Sequence, residues 1–311
     1  MKRPTKFLQA TKWKAASVRP LTGDASARRY FRLQEGDGTA ILMDASRVLE
    51  MVAPFVQINL HLDKLGFSVP DILARDDENG FLLLEDFGDA TFSHLLENNF
   101  DAEQLFSLAT DVLIALHKHP KAVQVDLRSY HPQKMLEDVE LFLEGHPVSE
   151  KGKAEFRTVW LDVLPLAHDV PSSLLLRDYH VANLMLLPER EGVRHAGLLD
   201  FQDAYQGPVT YDLISLLEDA RRDLPPSLKE KMLAHYISHF PNLDRKTFET
   251  SLAILAALRH TRVLAVFEKL SREGKPDYKE LHSPRVERLL QEALKHPELG
   301  ALEKWFAKYA R

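Results

Sequence analysis

The feature of this sequence that most restricts its fold is a change of hydrophobic period near residue 87. Ahead of it, apolar residues come in short runs bounded by turn residues, the pattern of strands. Residues 17–21, 29–33 and 39–43 read as three strands, the last two joined by the hairpin signal Asp37-Gly38. Met51, Phe55, Ile58, Leu62 and Leu65 then share a helical face across 48–65, and Gly66 followed by Pro70 ends that helix. Two more strands follow at 72–74 and 80–85. Beyond residue 87 the period is mostly helical. Phe106, Ala109, Val112, Leu113 and Leu116 mark a long helix with Asp101 as its expected N-cap. Residues 135–142, 156–166, 225–270 and 284–308 continue in the same way, interrupted only by extended runs between 173 and 217. The expected fold class is α+β. A small antiparallel β-sheet with one main helix occupies residues 1–87, and a larger, mostly helical region with a hairpin occupies residues 88–311.

Composition narrows the chemistry. The 311 residues suffice for two cores, and the chain has no cysteine, which rules out disulfides, a thiol nucleophile and thiolate metal sites. A formal charge of −6 gives no global basic field for nucleic acid. Lys2, Arg3, Lys6, Lys12, Lys14 and Arg19 make the first twenty residues basic, yet Phe7-Leu8 is too short for the apolar core of a signal peptide. A surface amphipathic helix is expected there. No apolar run approaches the length of a membrane span, and a cytoplasmic protein without membrane or nucleic-acid partners is expected. The histidine spacings do not make a zinc site, and no GxSxG hydrolase motif occurs.

The informative stretch is 177–203. Arg177-Asp178-Tyr179-His180-Val181-Ala182-Asn183 leads into the apolar run 184–187, a turn containing Gly192, and the run 196–199 ending at Asp200. An antiparallel hairpin over these runs sets Asn183 beside Asp200, with Asp178 on the preceding loop. Hard oxygen donors are what Mg2+ prefers, usually together with phosphate oxygens of a substrate. The set therefore suits phosphoryl transfer: one Asp receives a hydroxyl proton, while the Asn and the other Asp hold metal.

Asp178-x4-Asn183 with Asp200 after the next strand resembles the catalytic and metal motifs of the protein-kinase-like fold, in its aminoglycoside and choline phosphotransferase branch. That resemblance implies a bilobal fold with ATP and Mg2+, Asp178 as catalytic base, and Asn183 and Asp200 as metal ligands. It covers roughly residues 17–300. A narrower resemblance is carried by Gly23-Asp24-Ala25-Ser26-Ala27-Arg28-Arg29-Tyr30-Phe31-Arg32, by Leu199-Asp200-Phe201-Gln202-Asp203 with Gly207-Pro208, and by Tyr211-Asp212-Leu213. Arg259-His260-Thr261-Arg262 and Gly274-Lys275-Pro276-Asp277-Tyr278 belong to it too. These segments resemble the bacterial anomeric kinases of N-acetylmuramate and N-acetylglucosamine, which phosphorylate C1 in cell-wall recycling. The resemblance implies a monomer with a small amino-sugar substrate, whose product passes to a sugar-1-phosphate nucleotidyltransferase.

Two departures stand out. Leu176 replaces the histidine often found two residues before the catalytic Asp, so another group must orient Asp178. In Thr39-Ala40-Ile41-Leu42-Met43-Asp44, Leu42 or Met43 replaces the phosphate-binding lysine of many kinases. Arg28 or Arg29 is expected to supply that charge. Strand alternation turns them to opposite faces, and Arg28, nearer the loop, is favoured.

Within the same resemblance, Gly23 and Ser26 would cover the ATP phosphates, and Glu85 with Asp86 would lie at the hinge beside adenine. Glu50 is a possible substitute for the usual helix acid. Asp203 is expected to contact the acceptor or brace the Asp200 loop, and Asp212 to cap the following helix and brace the catalytic loop. His180 is read first as structural. Arg221, Arg259 and Arg262 are candidate surface or acceptor-site cations, and Arg259 and Arg262 share a helix face. A lactyl-bearing sugar would use such an arginine. The alternatives are a kinase for an aminoglycoside, choline or amino alcohol, and an inactive nucleotide-binding pseudokinase.

Overall fold

Antiparallel pairing of five short extended runs builds the amino-terminal sheet. The computed structural model describes residues 4–21 and 28–310. Strands β1 (Ser17–Pro20), β2 (Arg29–Glu35), β3 (Gly38–Asp44), β4 (Ile72–Asp76) and β5 (Phe81–Leu84) form one antiparallel sheet in the order β1-β2-β3-β5-β4. Leu33, Ala40, Leu42, Phe81 and Leu83 share one face, where Leu8 and Trp13 complete an apolar cluster. Leu8 comes from the short helix α1 (Thr5–Gln9), so the basic amino-terminal segment is held by its apolar side.

The β2–β3 hairpin turns one residue earlier than Asp37-Gly38 suggests. Glu35 pairs with Gly38, so Gly36 and Asp37 form the turn, and Gly36 takes φ +59°. Glycine adopts that left-handed conformation without a Cβ penalty. Gly38 already lies in the strand, where a Cβ would stand 3.4 Å from the Trp13 ring.

Helix α2 (Val52–Lys64) follows a 3-10 turn at Leu49–Met51 and buries Phe55, Ile58 and Leu62, as the spacing requires. It ends at Gly66, whose φ is +88°. Asn59 anchors the exit by donating to the Pro70 carbonyl at 2.9 Å. Helix α3 (Phe92–Glu97) begins at Thr91, whose hydroxyl accepts the His94 N–H at 3.1 Å.

The chain divides into two compact units, residues 1–102 with 182–203, and residues 103–181 with 204–311. The second is mainly helical: α4 (Ala102–Lys118), α5 (Pro132–Gly145), α6 (Glu150–Val163), α7 (Thr210–Leu217), α8 (Pro226–Ser238), α9 (Arg245–Arg272), α10 (Asp277–Leu294) and α11 (Gly300–Tyr309). A small sheet of β6 (Arg128–Ser129), β10 (Tyr205–Pro208) and β7 (Ser172–Leu175) is set among them. Helix α9 packs against α5, α7 and α10 and supplies Ile254, Leu255 and Leu258 to the core. It is long and apolar enough to cross a bilayer, but its most apolar window is 72 % buried, as for a core helix. The architecture is the bilobal α+β protein-kinase-like fold, a small sheet with one main helix and a larger helical lobe.

Candidate active site

The hairpin expected after Asn183 forms. Strands β8 (Leu184–Leu186) and β9 (Ala196–Leu198) pair antiparallel, Leu184 opposite Leu198, and the Leu199 N–H donates to the Asn183 carbonyl at 3.0 Å. It belongs to the first unit, where the Leu198 N–H donates to the Ser68 carbonyl at 2.8 Å and the Leu186 N–H to that of Ala90 at 2.9 Å. Asn183 and Asp200 therefore stand together at one end of the hairpin, both half-buried. Asp200 has φ +59°, an unusual conformation for a residue with a Cβ.

That turn is locked from both sides. Phe201 is buried and stacks on Phe55 of α2 with ring centroids 5.2 Å apart. Arg28 is ion-paired through Nη2 to Asp200 Oδ1 and donates from Nη1 to Gln202 Oε1 at 2.7 Å. Gln202 in turn donates to Asp200 at 3.1 Å and to Asp203 at 3.3 Å. Burial opposes the Arg28 charge, but Tyr30 and the carboxylates of Asp200 and Asp203 outweigh it, and the pKa lies above its ordinary value. Arg29 pairs instead with buried Asp44, so the two arginines diverge as alternation requires. Leu42 and Met43 are fully buried.

Asp178 stands on a loop of the second unit. From Ser173 to Val181 it is the only residue that is not buried. Asp212 fixes the loop by accepting the Leu176 N–H at 2.6 Å and the Arg177 N–H at 2.9 Å. Burial, opposed by these two bonds, pushes the Asp212 carboxyl up to about 7. Its expected bracing is present, but it lies inside α7 and the N-cap is Val209, which caps with no side chain. A carboxylate aimed back at the loop is unavailable to its own helix end.

Arg177 completes the support and had no signal in the sequence. Its φ is +69°, and its guanidinium lies 4.3 Å from the Tyr130 ring centroid and 5.1 Å from those of Tyr205 and Tyr211. Nη2 donates to Asp138 at 2.8 Å. Further along, the Tyr179 hydroxyl donates to the Ala109 carbonyl at 2.7 Å. His180 is buried. Burial and the cations Arg221 and Arg259, against the pull of Asp219 and Asp178, hold its imidazole below the ordinary value.

The remaining expected residues fall as follows. Gly23 and Ser26 lie outside the described residues. Glu85 donates its N–H to the Asp71 carbonyl at 2.8 Å, and its carboxylate pairs with Arg190. Asp86 pairs with Arg32 at 2.7 Å and accepts the Gly88 N–H at 2.9 Å. Glu50 is exposed on the 3-10 turn before α2. Arg259 is no surface cation, being only 5 % exposed, whereas Arg221 is exposed and Arg262 half-buried.

Among the described residues, no three His, Asp or Glu side chains converge as a metal-binding group. The Asn183 carboxamide and Asp200 carboxylate are nonetheless hard oxygen donors on one rigid hairpin. A cation that takes part of its shell from phosphate and water fits that pair.

The chain matches the phosphotransferase enzyme family over residues 17–246. It is 32 % identical to N-acetylmuramate/N-acetylglucosamine kinase of Caulobacter vibrioides, across 97 % of this chain and 94 % of that protein. Identity to the protein of the same name in Pseudomonas aeruginosa is 35 %, across 92 % and 87 % of the two chains. Among solved structures, choline kinase LicA from Streptococcus pneumoniae matches with a TM-score of 0.67 at 17 % identity, covering 93 % of this chain and 97 % of that one. A choline/ethanolamine kinase family protein from Mesorhizobium loti gives 0.65 at 15 % identity, covering 97 % of each chain. The likeness to these two structures is one of fold.

Proposed function

This chain belongs to the phosphotransferase enzyme family, and from that premise we propose that it moves the γ-phosphoryl group of ATP onto the anomeric C1 hydroxyl of N-acetylmuramate or N-acetylglucosamine. One observation carries the chemistry. Between Ser173 and Val181 the chain buries every residue except Asp178, and Asp212 holds the loop by two backbone bonds. Phosphoryl transfer requires little of a protein beyond positioning, a proton acceptor and charge on the phosphates. A carboxylate kept from burial on a fixed loop meets the first two requirements.

In this reading, Asp178 accepts the C1 hydroxyl proton as the sugar oxygen bonds to the γ-phosphorus. The bond from phosphorus to the bridging oxygen breaks, ADP departs with that oxygen, and Asp178 returns the proton to solvent. Asn183 and Asp200 would hold Mg2+, which when bound neutralises charge on the phosphate oxygens. Arg28 adds a fixed positive charge beside Asp200, in place of the absent strand lysine. For Gly23 and Ser26 we propose the phosphate-covering role that the family resemblance implies. Glu85 lies beside adenine in this reading, with its N–H already spent on the Asp71 carbonyl.

The sugar comes from the two bacterial relatives named N-acetylmuramate/N-acetylglucosamine kinase. Charge supports it over choline or an aminoglycoside through Arg262, whose side chain is 27 % exposed and whose ion contact, Nε to Asp138, is long at 3.8 Å. A cationic acceptor would need the opposite sign there. We place the division between lobes at 87/88, and the enzyme in the cytoplasm as a monomer that hands its sugar 1-phosphate to a nucleotidyltransferase.

The test is incubation with ATP, Mg2+ and a panel of both sugars, choline and an aminoglycoside, with products assigned by phosphorus and carbon NMR. Phosphate at C1 is expected, and Asp178→Asn should lower turnover by about 10²–10⁴-fold, as for loss of a general base. Failure on both sugars, or a phosphate on another hydroxyl, would overturn the reading.

A further inference from the structure

Several ionisable side chains of the second unit meet around Asp138, which is 6 % exposed. Asp138 accepts from Arg177 at 2.8 Å and from the Tyr130 hydroxyl at 2.9 Å, and it faces Lys134 Nζ at 3.0 Å. Lys134 is also met by Glu137 at 3.2 Å. Arg262, from α9, reaches the same Asp138 oxygen only to 3.8 Å through Nε. That distance is an ion contact and too long for a hydrogen bond.

The cations are thus unequally served. Arg177 has Asp138 and a cage of three tyrosine rings, and Lys134 has two carboxylates. Arg262 has one long contact, and among the described residues its guanidinium makes no hydrogen bond. Its side chain remains 27 % exposed, so a ligand can reach the head. Arg262 shares Asp138 Oδ2 with Arg177, the residue before Asp178, so it stands beside the Asp178 loop. Arg259, three residues earlier on the same helical face, is too deeply buried for that task.

A planar guanidinium with unspent donors matches a carboxylate through two parallel hydrogen bonds. The two sugars proposed above differ in one charged group, the carboxylate of the O-lactyl substituent that only N-acetylmuramate carries. We propose that Arg262 binds this lactyl carboxylate and sets the preference of the enzyme for the acidic sugar. The proposal rests on the amino-sugar kinase reading. Arg262 is then a specificity residue, and the proton and phosphoryl transfers stay as described for Asp178.

The test compares N-acetylmuramate, its lactyl methyl ester and N-acetylglucosamine as acceptors of the wild type, Arg262→Met and Arg262→Lys. The wild type should favour the acid over the ester by about tenfold to a hundredfold in kcat/KM, the scale of a hydrogen bond to a charged group. In Arg262→Met that ratio should collapse toward one, mainly through KM, with Arg262→Lys intermediate. A wild type that treats acid and ester alike overturns the proposal, and so does an unchanged ratio in Arg262→Met. Equal losses on all three sugars would instead assign Arg262 to Asp178 or the phosphates, and also overturn it. Should Arg262→Met not fold, the ester comparison on the wild type still decides. Calorimetric binding of acid and ester without nucleotide decides even if no sugar is turned over, an outcome that would overturn the kinase reading separately.

Discussion

Asp212 accepts the backbone N–H of Leu176 at 2.6 Å, two residues before Asp178. The loop is therefore braced from beneath by a carboxylate, at the place where the Leu176 side chain can offer no hydrogen bond. Since Asp212 also accepts the Arg177 N–H, one side chain fixes two consecutive amides. The rigidity of the loop comes from this pair of bonds and from the tyrosine cage around Arg177.

Replacing Asp212 by Asn leaves one acceptor oxygen for two donors. Turnover should fall by about a hundredfold, the cost of a reacting group misplaced by roughly 1 Å, with smaller changes in sugar and ATP binding. Stability carries a second signature. The carboxyl titrates near 7 in the folded chain against an ordinary 3.8, so the folded state holds this proton more tightly. Its contribution is complete below pH 4 and is lost as pH rises through 7. Denaturation midpoints from pH 4 to 8 should therefore fall in the wild type relative to Asp212→Asn. Parallel curves would contradict the assignment.

Arg28 ties the metal-side turn to the sheet through Asp200 and Gln202. Arg28→Met removes the cation and leaves a buried carboxamide oxygen without its donor. KM for ATP should rise about tenfold or more, in line with a charged hydrogen bond worth about 1.5–3 kcal/mol. Arg28→Lys keeps the charge but not the fork, and should fall between. An unchanged KM in Arg28→Met would remove Arg28 from the nucleotide site.

Asn183 and Asp200 make their own prediction through Mg2+. In Asn183→Ala the hairpin is preserved, because the bond from Leu199 goes to the backbone carbonyl. The Mg2+ concentration for half-maximal activity at fixed ATP should rise about tenfold, within the range of a lost charged or metal-oriented contact. Asp200→Asn should raise it further. Magnesium titrations that superimpose on the wild type would show that these oxygens are not ligands.

What the sequence made legible was local. Asp178, Asn183 and Asp200 fall within one hairpin and its leading loop, so their spacing alone set Asn183 beside Asp200. The strands and α2 were legible because a period of two or of 3.6 is written along a few consecutive residues. Contacts between distant segments leave no such trace. Arg28 reaches Gln202 across 174 positions, and Arg177 is caged by Tyr130, Tyr205 and Tyr211 from three separate segments. The i, i+3 spacing placed Arg259 and Arg262 on one face but not at different depths. Their separation into a buried and a reachable cation depends on what packs against α9.

Gly197 was likewise silent in the sequence, and it tests how closely the hairpin is packed. In β9 it pairs with Met185 of β8 and bridges to Ser68. A Cβ here would stand 2.8 Å from two carbons of the Phe87 ring and 3.0 Å from Leu187. Real Cβ atoms do not approach that closely, and Phe87 is itself held against the Arg190 guanidinium at 5.1 Å. Gly197→Ala should therefore cost about 1–3 kcal/mol, the usual penalty for overpacking, and Gly197→Val more. Trimming the ring gives the discriminating control. Phe87→Leu should recover part of the loss when combined with Gly197→Ala, so the two changes should be non-additive, as contacting residues are. The measurement is urea denaturation of the four proteins in this cycle. Additive effects would mean that the Phe87 ring does not set the space at Gly197, and that the cost arises in the strand backbone.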